Sequence, residues 1–401
     1  MGNPATSQSG RSAGLGLTVL QVLPGLETGG VERGAVDVAA AVVEGGGRAL
    51  VVSSGGRMEA ELRRVGAEHV TMPVNRKSPG HLWRNAGLLA GLIRRERIDI
   101  VHARSRAPAW SARAAARRAG VPFVTTFHGI YGTGFPLKKS WNRIMAAGDR
   151  VIAISGYVAD HVIQRYRTPA ERVVLIHRGV DLDLFDRRAV TEARVVQLAE
   201  AWQLPDGVPV VMLPGRFTRL KGHAVLIDAL AQVRRRDALA LLIGADAGRA
   251  GYRDELLKRV RRRGLEGAVR FVGHCNDMPA AYMLADVVVS ASTQPEAFGR
   301  TVAEAQAMGR PVIATDHGGA RETVVPGRTG WLTPPGDAQA LAHALDAALS
   351  MTADERSRMA RTAVDNIRRN FSKRVMTDRT LEVYAELVRE RGAARQRGRQ
   401  G

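Results

Sequence analysis

An apolar triplet, Val287–Val289, runs into a loop that carries Glu296, Phe298 and Gly299. A small-residue segment, Thr301–Met308, follows and is closed by Gly309, and a second apolar run, Pro311–Ala314, leads to Asp316, His317, Gly318 and Gly319. Short apolar runs bounded by turn residues read as strands buried on both faces, and the segment between them reads as a crossover helix. Strand, loop, helix and strand in this order limit the chain to an α/β architecture with a parallel sheet. A loop that follows a parallel strand lies at the carboxyl edge of the sheet, where open sheets bind ligands. The next helix points free N–H groups and a partial positive charge at that edge, which suits a diphosphate. Gly299 lets backbone approach closely. Glu296 before the helix and Glu304 about one turn inside it can each accept hydrogen bonds from vicinal hydroxyls, one pair on a sugar and one on a ribose. Spacing alone fits two ordinary solvated glutamates equally well.

The same alternation runs through the rest of the chain. Thr18–Leu23 reads as a strand, Glu27–Arg33 as a loop containing Gly29 and Gly30, and Gly34–Val43 as a helix. This opens a doubly wound sheet without the G-x-G-x-x-G dinucleotide fingerprint. Further strands are expected at 48–53, 69–72, 98–102, 122–126, 150–154 and 172–176, with helices between them. His128 follows one of these strands and precedes a glycine, which places it at the same kind of edge. A second series of strands starts at Val208–Leu213 and runs into Gly215, Arg216, Lys221 and Gly222. An arginine forking two oxygens and a lysine five residues on make a phosphate clamp. The segment Tyr131–Arg143 interleaves rings with cations. With Arg113, Arg117 and Arg118, its Lys138, Lys139 and Trp141 suit an anionic membrane or a phosphorylated lipid acceptor, while Leu137, Trp141 and Ile144 at helical spacing equally suit inward packing.

Composition narrows the classes. The 401 residues suffice for two domains, and the single cysteine, Cys275, excludes a disulfide framework and a cysteine-built metal centre. No apolar run is long enough to span a membrane. The net charge of +20 favours polyanions, but 5% aromatics and the absence of a recognition motif argue against nucleic acid.

Glu296-Ala297-Phe298-Gly299, Glu304-Ala305 with seven residues between the glutamates, and Gly309–Thr315 followed by Gly318-Gly319 together resemble the signature of the retaining nucleotide-sugar glycosyltransferases of family 4. The resemblance covers nearly the whole chain. Its wording around Arg300 and Gln306 is similar to the bacterial lipopolysaccharide and exopolysaccharide branch. It implies the GT-B fold, two doubly wound Rossmann-like domains with a cleft between them. The expected layout is a disordered tail at 1–14, an acceptor-side domain at 15–182 and a donor-side domain at 183–372. A closing helix at 373–391 crosses back to the first domain, and a disordered basic tail follows at 392–401. Arg178 stands where the family's interdomain linker usually has asparagine.

The resemblance also implies roles. Arg216 and Lys221 hold the donor diphosphate, assisted by Gly299 and Arg300. Glu304 takes the ribose and Glu296 the transferred sugar. His128 contacts that sugar, Phe298 lies at the donor, and the Gly29-Gly30 loop sits beside donor and acceptor. The expected activity is metal-independent hexosyl transfer with retention, from a UDP- or GDP-linked sugar to a glycan or glycolipid in cell-surface polysaccharide synthesis. No cofactor is expected, and the location is cytoplasmic or peripheral on the inner face of the membrane. Two other classes remain open: an epimerase-type enzyme on the same fold, and a charge-driven protein that binds polyanions or membranes.

Overall fold

The computed structural model of the protein describes residues 16–132, 136–246 and 250–400. The tail expected at 1–14 lies outside them. The chain divides into two units. The first comprises residues up to Ile154, with Val158–Ile176 and the segment from Met376 onward; the second comprises Ser155–Tyr157 and His177–Val375.

The described residues of the first unit contain seven strands: β1 Thr18–Val22, β2 Arg48–Ser53, β3 Glu68–Thr71, β4 Ile100–Ala103, β5 Phe123–Phe127, β6 Arg150–Ala153 and β7 Val173–Leu175. They form one sheet in the order β3-β2-β1-β4-β5-β6-β7, and every pairing is parallel. The second unit holds β8 Val210–Pro214, β9 Leu239–Ile243, β10 Val269–Val272, β11 Val287–Ser290, β12 Val312–Thr315 and β13 Gly330–Thr333. Their order is β10-β9-β8-β11-β12-β13, again parallel throughout. Each sheet is doubly wound. Strand order reverses between β1 and β4 in one and between β8 and β11 in the other, which opens a crevice at the carboxyl edge of each pair.

Val287, Val288 and Val289 are all buried, as a strand covered by helices on both faces requires. In the second unit Val211, Leu213, Ala240, Leu242, Val287 and Val289 pack beneath helices His223–Leu230, Ala250–Arg262 and Ala338–Leu349. In the first unit Tyr384 and Leu387, from the final helix, join a core built on β1, β2 and helix Gly30–Glu44.

Three boundaries differ from expectation. The first helix begins at Gly30 rather than Gly34. Gly29 sits extended at its N-cap (φ 174°) and Glu32 lies in the first turn, where a carboxylate complements the helix dipole. The break between units falls at Ile176/His177 rather than after residue 182, because Val180 bridges to Ser372 and Lys373 Nζ pairs with Asp181 Oδ2 at 2.7 Å. The final helix runs from Lys373 to Gln400, including the stretch expected to be a disordered tail. That stretch lacks proline, and its alanines, arginines and glutamines favour helix against the glycines at 392 and 398.

The loop after β8 is locked to the loop after β11 through Gly222. This residue is left-handed (φ +70°), and a Cβ on it would drive into the Ala291 carbonyl. Thr293 N also donates to Leu220 O at 2.8 Å. Gly222→Ala should therefore cost about 1–2 kcal/mol for the left-handed backbone and about 1–3 kcal/mol more for overpacking. Urea denaturation followed by a probe in the second unit checks this.

Candidate active site

The loops after β8 and β11 flank the switch point of the second sheet, and they bring the two halves of the sequence pattern together. Lys221 Nζ donates to Glu296 Oε1 at 2.8 Å, with both side chains about one quarter exposed. Ser292 Oγ donates to the same carboxylate oxygen, and Ser292 O accepts from His317 Nε2 at 2.9 Å. Burial pushes the Glu296 carboxyl up, but Lys221, Ser292 and the nearby His317 outweigh it and hold it below the usual carboxylate range. The Gly318-Gly319 loop closes on the same segment. Gly319 N donates to Glu296 O at 2.9 Å. A Cβ on Gly318 (φ +58°) would strike the Glu296 backbone, and one on Gly319 would strike Phe298.

Arg216 lies in the loop after β8. Its side chain is exposed, and it has no hydrogen-bond or ion-pair partner among the described residues. It is an exposed cation in a loop that borders the switch point.

Helix Arg300–Ala307 starts from a left-handed Gly299. One turn in, Glu304 is only 7% exposed. Arg300 forks its Oε1 through Nη2 at 2.8 Å and Nε at 3.1 Å, and Tyr282 Oη donates to Oε2 at 3.2 Å. Burial dominates here and raises the carboxyl above its ordinary value, against the pull of Arg300 and Tyr282. The two glutamates therefore differ in kind: Glu296 is held ionised by a lysine, whereas Glu304 is a carboxylate at the end of a dry polar chain.

Phe298, expected at the donor, turns its ring inward. It is buried and its ring lies 6.0 Å from Phe371 and 6.4 Å from His177, centroid to centroid. An aromatic residue in a glycine-rich loop fits either role by sequence, and the apolar floor beneath this loop takes it.

In the first unit, Gly29 and Gly30 form the N-terminus of a helix after β1, and His128 follows β5 directly. Both lie at the carboxyl edge. The same edge holds a buried polar network that local sequence does not reveal. His102 on β4 sits between Tyr384 Oη (2.5 Å) and Thr126 Oγ1 (2.7 Å), and burial keeps its ring neutral, well below the ordinary histidine value. Arg104, 4% exposed, donates from Nε to Gln21 Oε1 at 2.6 Å. Burial lowers its guanidinium, partly offset by Tyr384 and Asp37.

The residues expected to meet a membrane or acceptor do not form one patch. Arg117 and Arg118 are exposed at the C-terminal end of helix Arg106–Ala119. A crossover helix runs antiparallel to its strands, so that end lies at the amino edge, away from His128. Arg113 is half-buried on the same helix. Trp141 packs on Trp110 with ring centroids 5.5 Å apart, which is the inward alternative, while Lys138 and Lys139 are exposed.

The family model for glycosyltransferase family 4 matches residues 28–184, and that for glycosyl transferases group 1 matches residues 197–365. The D-inositol 3-phosphate glycosyltransferase of Salinispora tropica is 32% identical over 343 residues, covering 78% of this chain and 69% of the relative. The chain belongs to the family 4, group 1 glycosyltransferases. A solved glycosyltransferase from Rickettsia africae is 36% identical to this family 4 chain, with a TM-score of 0.86 over 93% of it and 98% of the solved chain. Anabaena HepE, solved in complex with UDP and glucose, is 28% identical, with a TM-score of 0.76 over 92% and 99%. The architecture of two parallel α/β units is therefore the GT-B fold.

The two glutamates give stability effects of opposite sign. Glu296 has a depressed carboxyl, so its contribution is present above the unfolded carboxylate value and is lost as pH falls through the folded one. Lys221→Met should destabilise the second unit by about 1–3 kcal/mol at neutral pH, with the difference shrinking on acidification. Glu304 has a raised carboxyl, so its contribution is full below the unfolded value and is lost as pH rises through the folded one. Glu304→Gln should therefore raise the melting temperature at neutral pH and converge with wild type in acid. Thermal melts of both variants across pH check the two signs.

Proposed function

We propose that this glycosyltransferase moves a hexosyl group from a nucleoside diphosphate-sugar to an acceptor hydroxyl with retention at the anomeric carbon. The observation that carries the reading is the crevice of the second sheet. An unpaired Arg216 and a Lys221 already aligned on Glu296 stand beside the N-terminus of helix Arg300–Ala307. Arg216 and Lys221 take the diphosphate, with Gly299 and Arg300 at the helix end. As the glycosidic bond breaks, negative charge grows on the leaving diphosphate, and fixed cations aimed at it lower the barrier. Glu296 accepts hydroxyls of the transferred sugar, and its hold on Lys221 keeps both side chains in place before substrate arrives. Glu304 exchanges part of its contact with Arg300 for the ribose hydroxyls. His128 is assigned to the transferred sugar and the Gly29-Gly30 turn to the acceptor.

Neither glutamate is cast as a double-displacement nucleophile. Glu296 is already committed to a lysine and a serine, and Glu304 lies inside a helix against Tyr282. The reading is front-face attack, in which the leaving phosphate oxygen takes the acceptor proton. The chain's own cations carry the phosphate charge, so transfer is expected to persist in EDTA.

UDP is the favoured nucleotide because HepE, at 28% identity, is solved with UDP and UDP-glucose. For the acceptor, the basic carboxyl-edge residues Lys138 and Lys139 favour a lipid-borne glycan of cell-surface synthesis. The inositol-phosphate glycosyltransferases among the relatives favour a second reading, a small phosphorylated polyol.

Calorimetric titration with UDP, GDP, ADP and CMP in EDTA tests the donor site. UDP should bind wild type, and Glu304→Gln should weaken it roughly 10–100-fold, the worth of one or two lost charged hydrogen bonds. No nucleotide binding, or an unaffected variant, would remove the ribose role. Product analysis with UDP-sugars then separates transfer from epimerisation.

A further inference from the structure

Helix Pro79–Arg95 of the first unit presents a face that the fold does not use. Asn85, Ala86, Leu89, Ala90, Leu92 and Ile93 are its buried side. On the opposite side Trp83 is 74% exposed and Leu88 47% exposed. A tryptophan this open forgoes a large apolar contact. Gly80, Gly87 and Gly91 also lie along the helix, and a Cβ at any of them would meet nothing within 4 Å. No steric demand requires them, and glycine inside a helix is less favourable than alanine. Their effect is to flatten the surface between Trp83, Leu88 and the helix C-terminus.

The charge on this face has one sign. Residues 76–95 contain Arg76, Lys77, Arg84, Arg94 and Arg95 and no acidic residue. Arg76, Lys77, Arg84 and Arg94 have no ion-pair partner among the described residues, and Arg95 pairs with Glu96. Arg76, Lys77 and Trp83 lie at the N-terminal end of a crossover helix. They therefore sit at the carboxyl edge of the first sheet, the edge that also bears His128 and the exposed Lys138 and Lys139.

We propose that this face, Trp83 and Leu88 framed by Arg76, Lys77 and Arg84, docks the protein on an anionic lipid bilayer. An amphipathic ring at headgroup depth, a flat glycine surface and unpaired cations match the chemistry of such a surface. A second copy of the chain fits less well, since two such faces would oppose like charges. Docking at this edge turns the acceptor side of the enzyme to the membrane, so the inference rests on the lipid-borne acceptor for its purpose but not for its evidence.

The test is co-sedimentation of the full chain with vesicles of phosphatidylcholine alone and of an even phosphatidylglycerol–phosphatidylcholine mixture. Binding should require phosphatidylglycerol. The pair Trp83→Ala with Leu88→Ser should lower it at least tenfold, and Arg84→Glu should lower it by at least about fivefold, the worth of one basic residue near the surface. Arg261→Glu with Arg262→Glu, on the basic helix of the second unit, should leave it unchanged. The proposal fails if wild type ignores anionic vesicles, if the Trp83 pair binds as well as wild type, or if the second-unit control loses as much. It also fails if sedimentation velocity shows a dimer that the Trp83 pair dissolves. The Trp83 pair should bind UDP like wild type, so loss of vesicle binding with intact UDP binding separates this surface from the donor site. Vesicle binding without UDP binding would leave the surface standing and remove the donor reading.

Discussion

The second unit is built around one contact, the Lys221–Glu296 pair, which ties the loop after β8 to the loop after β11 across the point where strand order reverses. A parallel sheet leaves its carboxyl edge open at that point. Nothing in the strands fixes the two loops relative to each other; the loops do this themselves. Gly222 packs on Ala291, the Gly318-Gly319 turn packs on residues 296–298, and Ser292 and His317 complete a polar frame around the carboxylate. A side chain at any of these glycines would push the loops apart and the lysine off its partner. The glycines of the signature thus serve the geometry of the ion pair as much as access to a ligand.

Within this frame, the environments of the two acidic residues differ in a way that bears on catalysis. A carboxylate that must accept sugar hydroxyls while negative charge leaves nearby benefits from being fixed and neutralised beforehand, since reorganisation during the reaction costs barrier height. In the role proposed for it, Glu296 would meet that condition through Lys221. Glu304 pays for its place with burial, opposed by Arg300 and Tyr282, as functional carboxylates often do.

The strands were readable from the sequence because each is a short apolar run with its own turn signals, and the switch-point loops because glycine and charge cluster there. Helix Arg300–Ala307 came within a residue of its expected start. What local sequence left open were judgements that depend on distant partners. The loop at Gly29 ends sooner than expected, because the helix already starts at Gly30. Phe298 and Trp141 are aromatic residues in polar surroundings, and only the apolar neighbours Phe371 and Trp110 decide that their rings face inward. Tyr282, Gln21 and Arg104 reach their partners across strands or across many residues, so no local pattern marks them. Trp83 was missed as well. No local pattern marks it as exposed, and only the packing of the helix through Leu89, Leu92 and Ile93 leaves it outside.

The same reasoning bears on the charge of +20. Many arginines are consumed locally: Arg259 and Arg263 on Asp228, Arg194 on Asp277, Arg321 on Asp316, Arg235 on Asp237. Pairs of this exposed kind contribute little to stability, but they remove cations from the field available to a partner. The cations that remain unpaired are the informative ones. Arg216 is one, and it lies in the loop after β8, at the switch point of the second sheet; Arg76, Lys77 and Arg84 are others, and they lie within seven residues of an exposed tryptophan, Trp83. On the readings proposed above, an unpaired arginine beside a diphosphate and unpaired cations beside an apolar face call for different anions, a compact one held by a fork and a diffuse one met by a surface. The excess charge would then be divided between two kinds of ligand, which a reading of net charge alone would merge into one.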